Sequence, residues 1–120
     1  MKINVGVIFG GRSVENEISV ITAAQTMAAM NEDKYNIVPI YISKEGRWYT
    51  GDKLRSTDNY RDMKALLASV EEVYFRPAYG DNNLYKVRKP LFGSAVATTI
   101  DVILPCLHGT SGEDGSFQGL

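Results

Sequence analysis

The 120-residue chain holds one cysteine, Cys106, one histidine, His108, and one tryptophan, Trp48. A single thiol excludes an internal disulfide framework and any site built from several cysteines. It fits a reducing compartment. An excess of charge of either sign is missing too: 13 Lys+Arg stand against 14 Asp+Glu, a net charge of −1. Such a balance offers no basic face to a nucleic-acid backbone or an anionic membrane surface, so neither is expected as a partner. Long apolar runs are absent. The opening run Ile3 to Phe9 is too short to span a bilayer, and Arg12 and Glu15 follow it with no small-residue cleavage pattern. The expected compartment is therefore the cytoplasm. Neither an internal repeat nor a linker-like stretch interrupts the chain. With 44% hydrophobic and 22% charged residues, the composition is that of one folded domain over residues 1–120.

The apolar, β-branched run Ile3, Val5, Val7, Ile8, Phe9 reads as a buried strand stopped by Gly10-Gly11. From about Glu15 to Met30 the pattern becomes helical. Ile18, Ile21, Ala24 and Ala28 share one face, and Val20, Ala23, Met27 and Met30 lie beside it. Tyr35 to Ser43 reads as a second strand, with Pro39 marking an edge or a bulge because it cannot donate to a ladder. A short strand near Arg47-Trp48-Tyr49 follows the turn at Glu45-Gly46. Tyr60 to Val70 reads as a helix, with Met63, Leu66, Leu67 and Val70 on one face. Val73–Arg76 and Leu84–Val87 make two short strands around Gly80-Asp81-Asn82-Asn83. Thr99 to Leu107 is the last strand, with Ile100, Val102, Ile103 and Leu104 as core candidates, and Gly115 to Leu120 opens a helix. A chain that stops one turn into a helix reads as a piece of a longer protein. The β-α-β opening argues for an α/β layer fold with a largely parallel sheet. In such sheets ligands lie outside the carboxyl ends of the strands. Two loops would share that edge, Gly10 to Glu15 and His108 to Asp114.

The first loop is Gly10-Gly11-Arg12-Ser13-Val14-Glu15-Asn16-Glu17. Paired glycines bring backbone close to a ligand, and a helix start favours an anion. The glycines do not have dinucleotide-binding spacing, and Glu15 suits a phosphate cradle poorly. Composition alone favours a structural use, with Ser13 capping the helix while Glu15 and Glu17 complement its dipole. The second loop is His108-Gly109-Thr110-Ser111-Gly112-Glu113-Asp114-Gly115. Cys106, His108, Glu113 and Asp114 do not follow any metal-motif spacing, so no metal site is expected. On the structural reading Asp114 caps a helix, the glycines form turns and His108 is an ordinary loop histidine. Taken together, the loops bring a carboxylate, Glu15, and an imidazole, His108, to one rim. A small zwitterion would find a partner there for its ammonium and another for its carboxylate.

Both loops resemble those of the D-alanine–D-alanine ligases. That family carries G-G-x-S-x-E-x-E-[VI]-S near its start, which stands here as Gly10 to Ser19. Its later motif H-G-x-x-G-E-D-G-x-x-Q-G stands here as His108 to Gly119, with every fixed position matched. Lys34 to Tyr49 also looks like the family. Asn16 departs from it, standing where histidine or arginine is common, and Val20 stands where leucine is common.

The resemblance implies a Rossmann-like, three-layer lobe of the kind that precedes an ATP-grasp fold, with a mostly parallel sheet and helices on both faces. It implies an enzyme that joins two D-alanines for peptidoglycan, using ATP and Mg²⁺ at sites outside this chain. The chain alone is then expected to be inactive and to bind neither. Carried over residue by residue, Glu15 would hold the ammonium of the first D-alanine, His108 would sit by its carboxylate and Ile18 would line the subsite. Gly10, Gly11 and Ser13 would shape the first loop. Gly109, Gly112, Glu113, Asp114 and Gly115 would shape the second. The resemblance also favours a homodimer through this lobe. Alternatives are a D-alanyl-D-lactate or D-alanyl-D-serine ligase of the vancomycin-resistance type, a non-enzymatic nucleotide- or ligand-binding α/β module, and a structural dimerising domain.

Overall fold

The computed structural model describes residues 2–12, 16–77, 80–88 and 90–106. In chain order the elements are β1 (Ile3–Gly10), α1 (Asn16–Ala29), β2 (Tyr35–Ile42) and β3 (Trp48–Thr50). Two 3-10 turns (Asp52–Arg55 and Thr57–Arg61) lead into α2 (Met63–Ser69). Strands β4 (Glu71–Phe75), β5 (Asn83–Lys86), β6 (Val96–Thr99) and β7 (Val102–Cys106) complete the fold. Among the described residues all strands form one sheet of seven, in the order β6-β5-β4-β3-β2-β1-β7.

The α/β class holds, but the sheet is not mostly parallel. Only β1 runs parallel to its neighbours, β2 on one side and β7 on the other. The four remaining pairings are antiparallel. Tight turns join only antiparallel strands, and Ser43 to Arg47 closes such a turn between β2 and β3, where Ser43 N–H donates to the Arg47 carbonyl at 2.8 Å. The sequence pattern locates strands but carries no direction for a short strand that a turn can reverse.

Alternation along β1 and β2 divides the core in two. Val5, Val7, Phe9 and Tyr41 face α1, the 3-10 turns and α2, burying Val20, Ala23, Met27, Leu54 and Leu66 against them. Each large apolar side chain buried in this way contributes about 1.5–3 kcal/mol. On the opposite face Ile8 and Ile40 pack with Val73, Leu84 and Ile100. No helix lies there among the described residues.

Coiling covers that second face instead. Strands β6 and β7 stand at opposite ends of the order, yet only Ile100 and Asp101 separate them in sequence. Three trans peptide steps reach about 11 Å, whereas seven strands laid flat would separate the edges by about 29 Å. The sheet must curl until its edges meet at this corner. Asn4 holds the corner from β1, accepting from Asp101 N–H at 2.8 Å through its carbonyl and donating from its side chain to the Thr99 carbonyl at 2.8 Å. Asn82 holds it from the other side, donating to the Ile100 carbonyl at 2.6 Å. Ile100 then lies over Gly6, where a Cβ would come within 3.1 Å of its side chain.

Several elements differ from the sequence expectation. The last strand is two strands, because the corner at Ile100-Asp101 breaks it. Ile100 is buried as expected and Leu104 is partly buried, but Val102 and Ile103 on the sheet edge are exposed. The second helix begins at Met63 rather than Tyr60, because the Asp62 carboxylate caps it by accepting from Ala65 N–H at 3.1 Å. Of the edge or bulge expected at Pro39, the structure shows a local edge. Its carbonyl accepts from the Thr50 hydroxyl at 2.7 Å, at the point where β3 has run out. An N–H and C=O of one strand residue point the same way, so the missing donor falls where no strand needs it.

Candidate functional site

The carboxyl ends of β1 and β7 form the edge of interest. Phe9 pairs with Cys106 in parallel register, so Gly10 and the exit of β7 lie side by side. The backbone leaves β1 through two residues of positive φ, Gly10 at 92° and Gly11 at 106°. Gly11 N–H donates to the Ile42 carbonyl at 2.8 Å, which pulls the chain across the end of β2. At Gly10 a Cβ would collide with that same carbonyl and come within 2.8 Å of the Tyr41 ring. At Gly11 it would meet nothing within 4 Å. Gly10 is therefore required twice over, by φ and by space, and Gly11 only by φ.

Three buried polar side chains hold this exit. Asn16, 2% exposed, opens α1. Its amide nitrogen donates to the Gly11 carbonyl at 2.7 Å and to the Ile42 carbonyl at 3.2 Å, and its oxygen accepts from the Tyr41 hydroxyl at 3.0 Å. The Ser19 hydroxyl accepts from Gly10 N–H. Burial raises the Tyr41 pKa above its ordinary value, keeping the phenol a donor. The Tyr41 ring sits in an aromatic cluster with Phe9 and Tyr60, at centroid distances of 5.5 and 5.4 Å. Further out, the Arg12 guanidinium covers the Gly46 turn, where a Cβ would lie 2.6 Å from it. Lys44 reaches Glu17 at 3.2 Å across the surface.

These bonds also set the rotation of α1. The buried stripe is Asn16, Ser19, Val20, Ala23 and Met27, and Ile18 and Ile21 point outward, 54% and 53% exposed. The apolar arc is wide enough to allow either orientation. Asn16 and Ser19 decide it, since each needs a partner once buried.

Of the residues expected at the site, Gly10 and Gly11 stand at the β1 exit and Ile18 on the first turn of α1. Ser13, Glu15, His108, Gly109, Gly112, Glu113, Asp114 and Gly115 lie outside the described residues. Cys106 is buried, with its thiol pKa raised by that burial. No group of three or more His, Cys, Asp or Glu that could hold a metal ion occurs among the described residues. Likewise, no described helix is long and apolar enough to cross a membrane. Asn16, Ser19 and Tyr41 were not anticipated. The available signal was an amide and a hydroxyl at i and i+3 on an otherwise apolar helix, directly after a glycine turn.

A family model described as "D-ala D-ala ligase N-terminus" matches residues 4–120. The chain belongs to that family. Its relatives include the D-alanine–D-alanine ligase of Thermosipho melanesiensis, 40% identical over 119 residues that cover 98% of this chain and 31% of that protein. The D-alanine–D-alanine ligase of Geobacillus thermodenitrificans is 41% identical over 123 residues, covering 100% of this chain and 32% of its own length. Among solved structures, the VanG D-Ala:D-Ser ligase of Enterococcus faecalis matches with a TM-score of 0.70 and 29% identity, over 99% of this chain and 33% of that one. The D-alanine–D-alanine ligase of Coxiella burnetii matches with a TM-score of 0.70 and 30% identity, over 98% of this chain and 32% of its own. The chain thus spans about a third of the length of the proteins it matches.

Proposed function

We propose that residues 1–120 form the lobe of a D-alanine–D-alanine ligase that binds the first D-alanine, in an enzyme making the peptidoglycan dipeptide in the cytoplasm. The observation that carries the reading is the parallel pairing of Phe9 with Cys106, which brings the strands entering both motif loops to one end of the sheet. From there Glu15 holds the ammonium of the amino acid and His108 attends its carboxylate. Ile18 borders the subsite, and Gly10, Gly11 and Ser13 shape the loop. Gly109, Gly112, Glu113, Asp114 and Gly115 form the second loop as structural residues.

Such a lobe contributes position rather than bond chemistry. Fixing one reactant against another can supply several kcal/mol of a barrier, up to about 7–11 in favourable cases. ATP and Mg²⁺ belong to the proposed reaction, and no group of three or more His, Cys, Asp or Glu among the described residues could hold the metal. That a D-Ala:D-Ser ligase and a D-Ala–D-Ala ligase match with the same TM-score of 0.70 supports a lobe whose task, the first amino acid, is common to both. A homodimer through this lobe is part of the same proposal.

In the complete enzyme, Glu15→Gln should raise the KM for the first D-alanine 10-fold or more while leaving the KM for ATP unchanged, because a charge-assisted hydrogen bond is worth about 1.5–3 kcal/mol. His108→Ala should act at the same subsite. Unchanged D-alanine kinetics for Glu15→Gln would return that carboxylate to a helix-dipole role.

A further inference from the structure

Two features of the antiparallel end have no use within a single copy of the chain. The first is a projection. Lys86 N–H donates to the Ala95 carbonyl at 2.8 Å, and Val87 N–H donates to the Glu72 carbonyl at 2.9 Å, so the base of the loop between β5 and β6 is closed and tied to β4. Beyond that base Leu91 and Phe92 stand side by side, 95% and 91% exposed. Single apolar residues on a surface are ordinary, but two large neighbours held this far into water mark a contact. The second feature is a cleft of about 550 Å³ between the end of α2 and strands β3 to β5. Tyr49, Leu67, Val70 and Val87 give it apolar walls, and Glu72 and Arg88 add one charge of each sign. Among the described residues no ion pair engages either charge. Val87 and Arg88 line the cleft and also open the loop, so projection and cleft are neighbours on one surface. The exposure of Leu91 and Phe92 shows that they do not fill the cleft of their own chain.

We infer that this patch is the surface through which two copies of the protein pair, each seating Leu91 and Phe92 in the cleft of the other and setting its Arg88 against the partner's Glu72. This rests on the homodimer proposed above, for which it names the contact. An apolar knob beside an apolar hole, with a cation and an anion at the hole, is complementary to itself. A two-fold rotation brings such a patch onto its own copy, knob to hole and hole to knob. The two seated tips form the buried anchors that dominate association, and the reciprocal charges fix the orientation. With 13 Lys+Arg against 14 Asp+Glu, the chain sets almost no net repulsion between copies.

The test is sedimentation velocity on the complete enzyme over a concentration series. The wild type should be dimeric. Leu91→Ser/Phe92→Ser should raise the dimer dissociation constant about a hundredfold, because each copy loses both its anchors. At dilutions that keep the copies apart, the same variant should unfold almost as the wild type does, since neither side chain packs on its own chain. Arg88→Glu and Glu72→Arg should each weaken self-association about tenfold, because every such dimer holds two contacts of like charge. An equimolar mixture of these two variants should recover nearly the wild-type association, because both contacts of the mixed dimer again join opposite charges. A general loss of stability would not be repaired by mixing.

A wild type that stays monomeric throughout the series overturns the homodimer and this surface together. A dimeric wild type whose association Leu91→Ser/Phe92→Ser leaves intact overturns the surface alone. A mixture that fails to recover what its two components lose overturns the reciprocal seating. Should the apolar variant fail to fold, the charge variants and their mixture decide, and unchanged association in both would reject the inference.

Discussion

The parallel end of the sheet, β2-β1-β7, and the antiparallel end, β3 to β6, keep water out by different means. At the parallel end α1 and α2 lie over β1 and β2, and the helix rotation is set by polar side chains that must find partners. At the antiparallel end no described helix covers the inner face. Curvature brings Ile100 and Leu84 onto Ile8 and Ile40. The polar groups of that region sit mainly at turns, as with Asp81, which accepts from the Tyr85 hydroxyl at 2.7 Å while Arg76 stacks 3.8 Å above the ring. The loop between β5 and β6 leaves Leu91 95% and Phe92 91% exposed. The contrast teaches that the end bearing the candidate site is the one where backbone, buried amide and aromatic ring determine one another.

The largest expected effect lies at the β1 exit. Gly10→Ala combines positive φ with collision against the Ile42 carbonyl, and it should destabilise the protein by about 4 kcal/mol. Gly11→Ala, where only φ objects, should cost about 1–2 kcal/mol. Equal shifts in thermal or urea unfolding for the two would break the claim that close packing defines this end.

Leu84 tests the other end. It is fully buried by curvature alone, so Leu84→Ala should cost about 3 kcal/mol in urea unfolding, within the range for core leucines. A cost below about 1 kcal/mol, the level of an ordinary surface change, would show that coiling leaves this face loose.

An alkaline titration sharpens the comparison further. Burial raises the Tyr60 pKa far above its ordinary value, and the hydroxyl donates to the Leu54 carbonyl at 2.7 Å. A raised folded-state pKa means that the folded protein holds the proton more tightly than the unfolded chain. This contribution is therefore fully present below about pH 10, the unfolded phenol value, and is lost as pH rises beyond it. Tyr60→Phe should flatten the alkaline loss in a series of unfolding curves from pH 8 to 11. An unaltered slope would reassign the loss to other groups.

The smallest effect belongs to the exposed loop, where Leu91→Ser and Phe92→Ser should each shift stability by no more than about 0.5 kcal/mol. A larger loss in melting experiments would mean that these side chains are packed against something in solution.

How far the sequence could be read follows the same division. Strand β1, helix α1 and strand β2 carry long, consistent patterns, and their positions were legible to within a residue or two. The motif residues Gly10 and Gly11 were legible because a glycine turn after a strand has few uses. Asn16 was visible only as a departure from a family pattern, since an amide at a helix start is as readily a surface residue as a hub. Ile18 and Ile21 were read with the apolar face. Periodicity measures the width of an arc, not which part of it meets the sheet.

By itself the sequence determined the class of fold, the stops at Gly10-Gly11, an irregularity at Pro39 and the family to which the chain belongs, because each is written in neighbouring residues. Only the tertiary structure decided that β3 to β6 run antiparallel, that Ile100-Asp101 forms a corner joining the two edges of the sheet, and that Asn16 ties Gly11 to Ile42. Those facts depend on residues up to about a hundred positions apart meeting in space, and short-range hydrophobic periodicity reports only a window of some 11–18 residues.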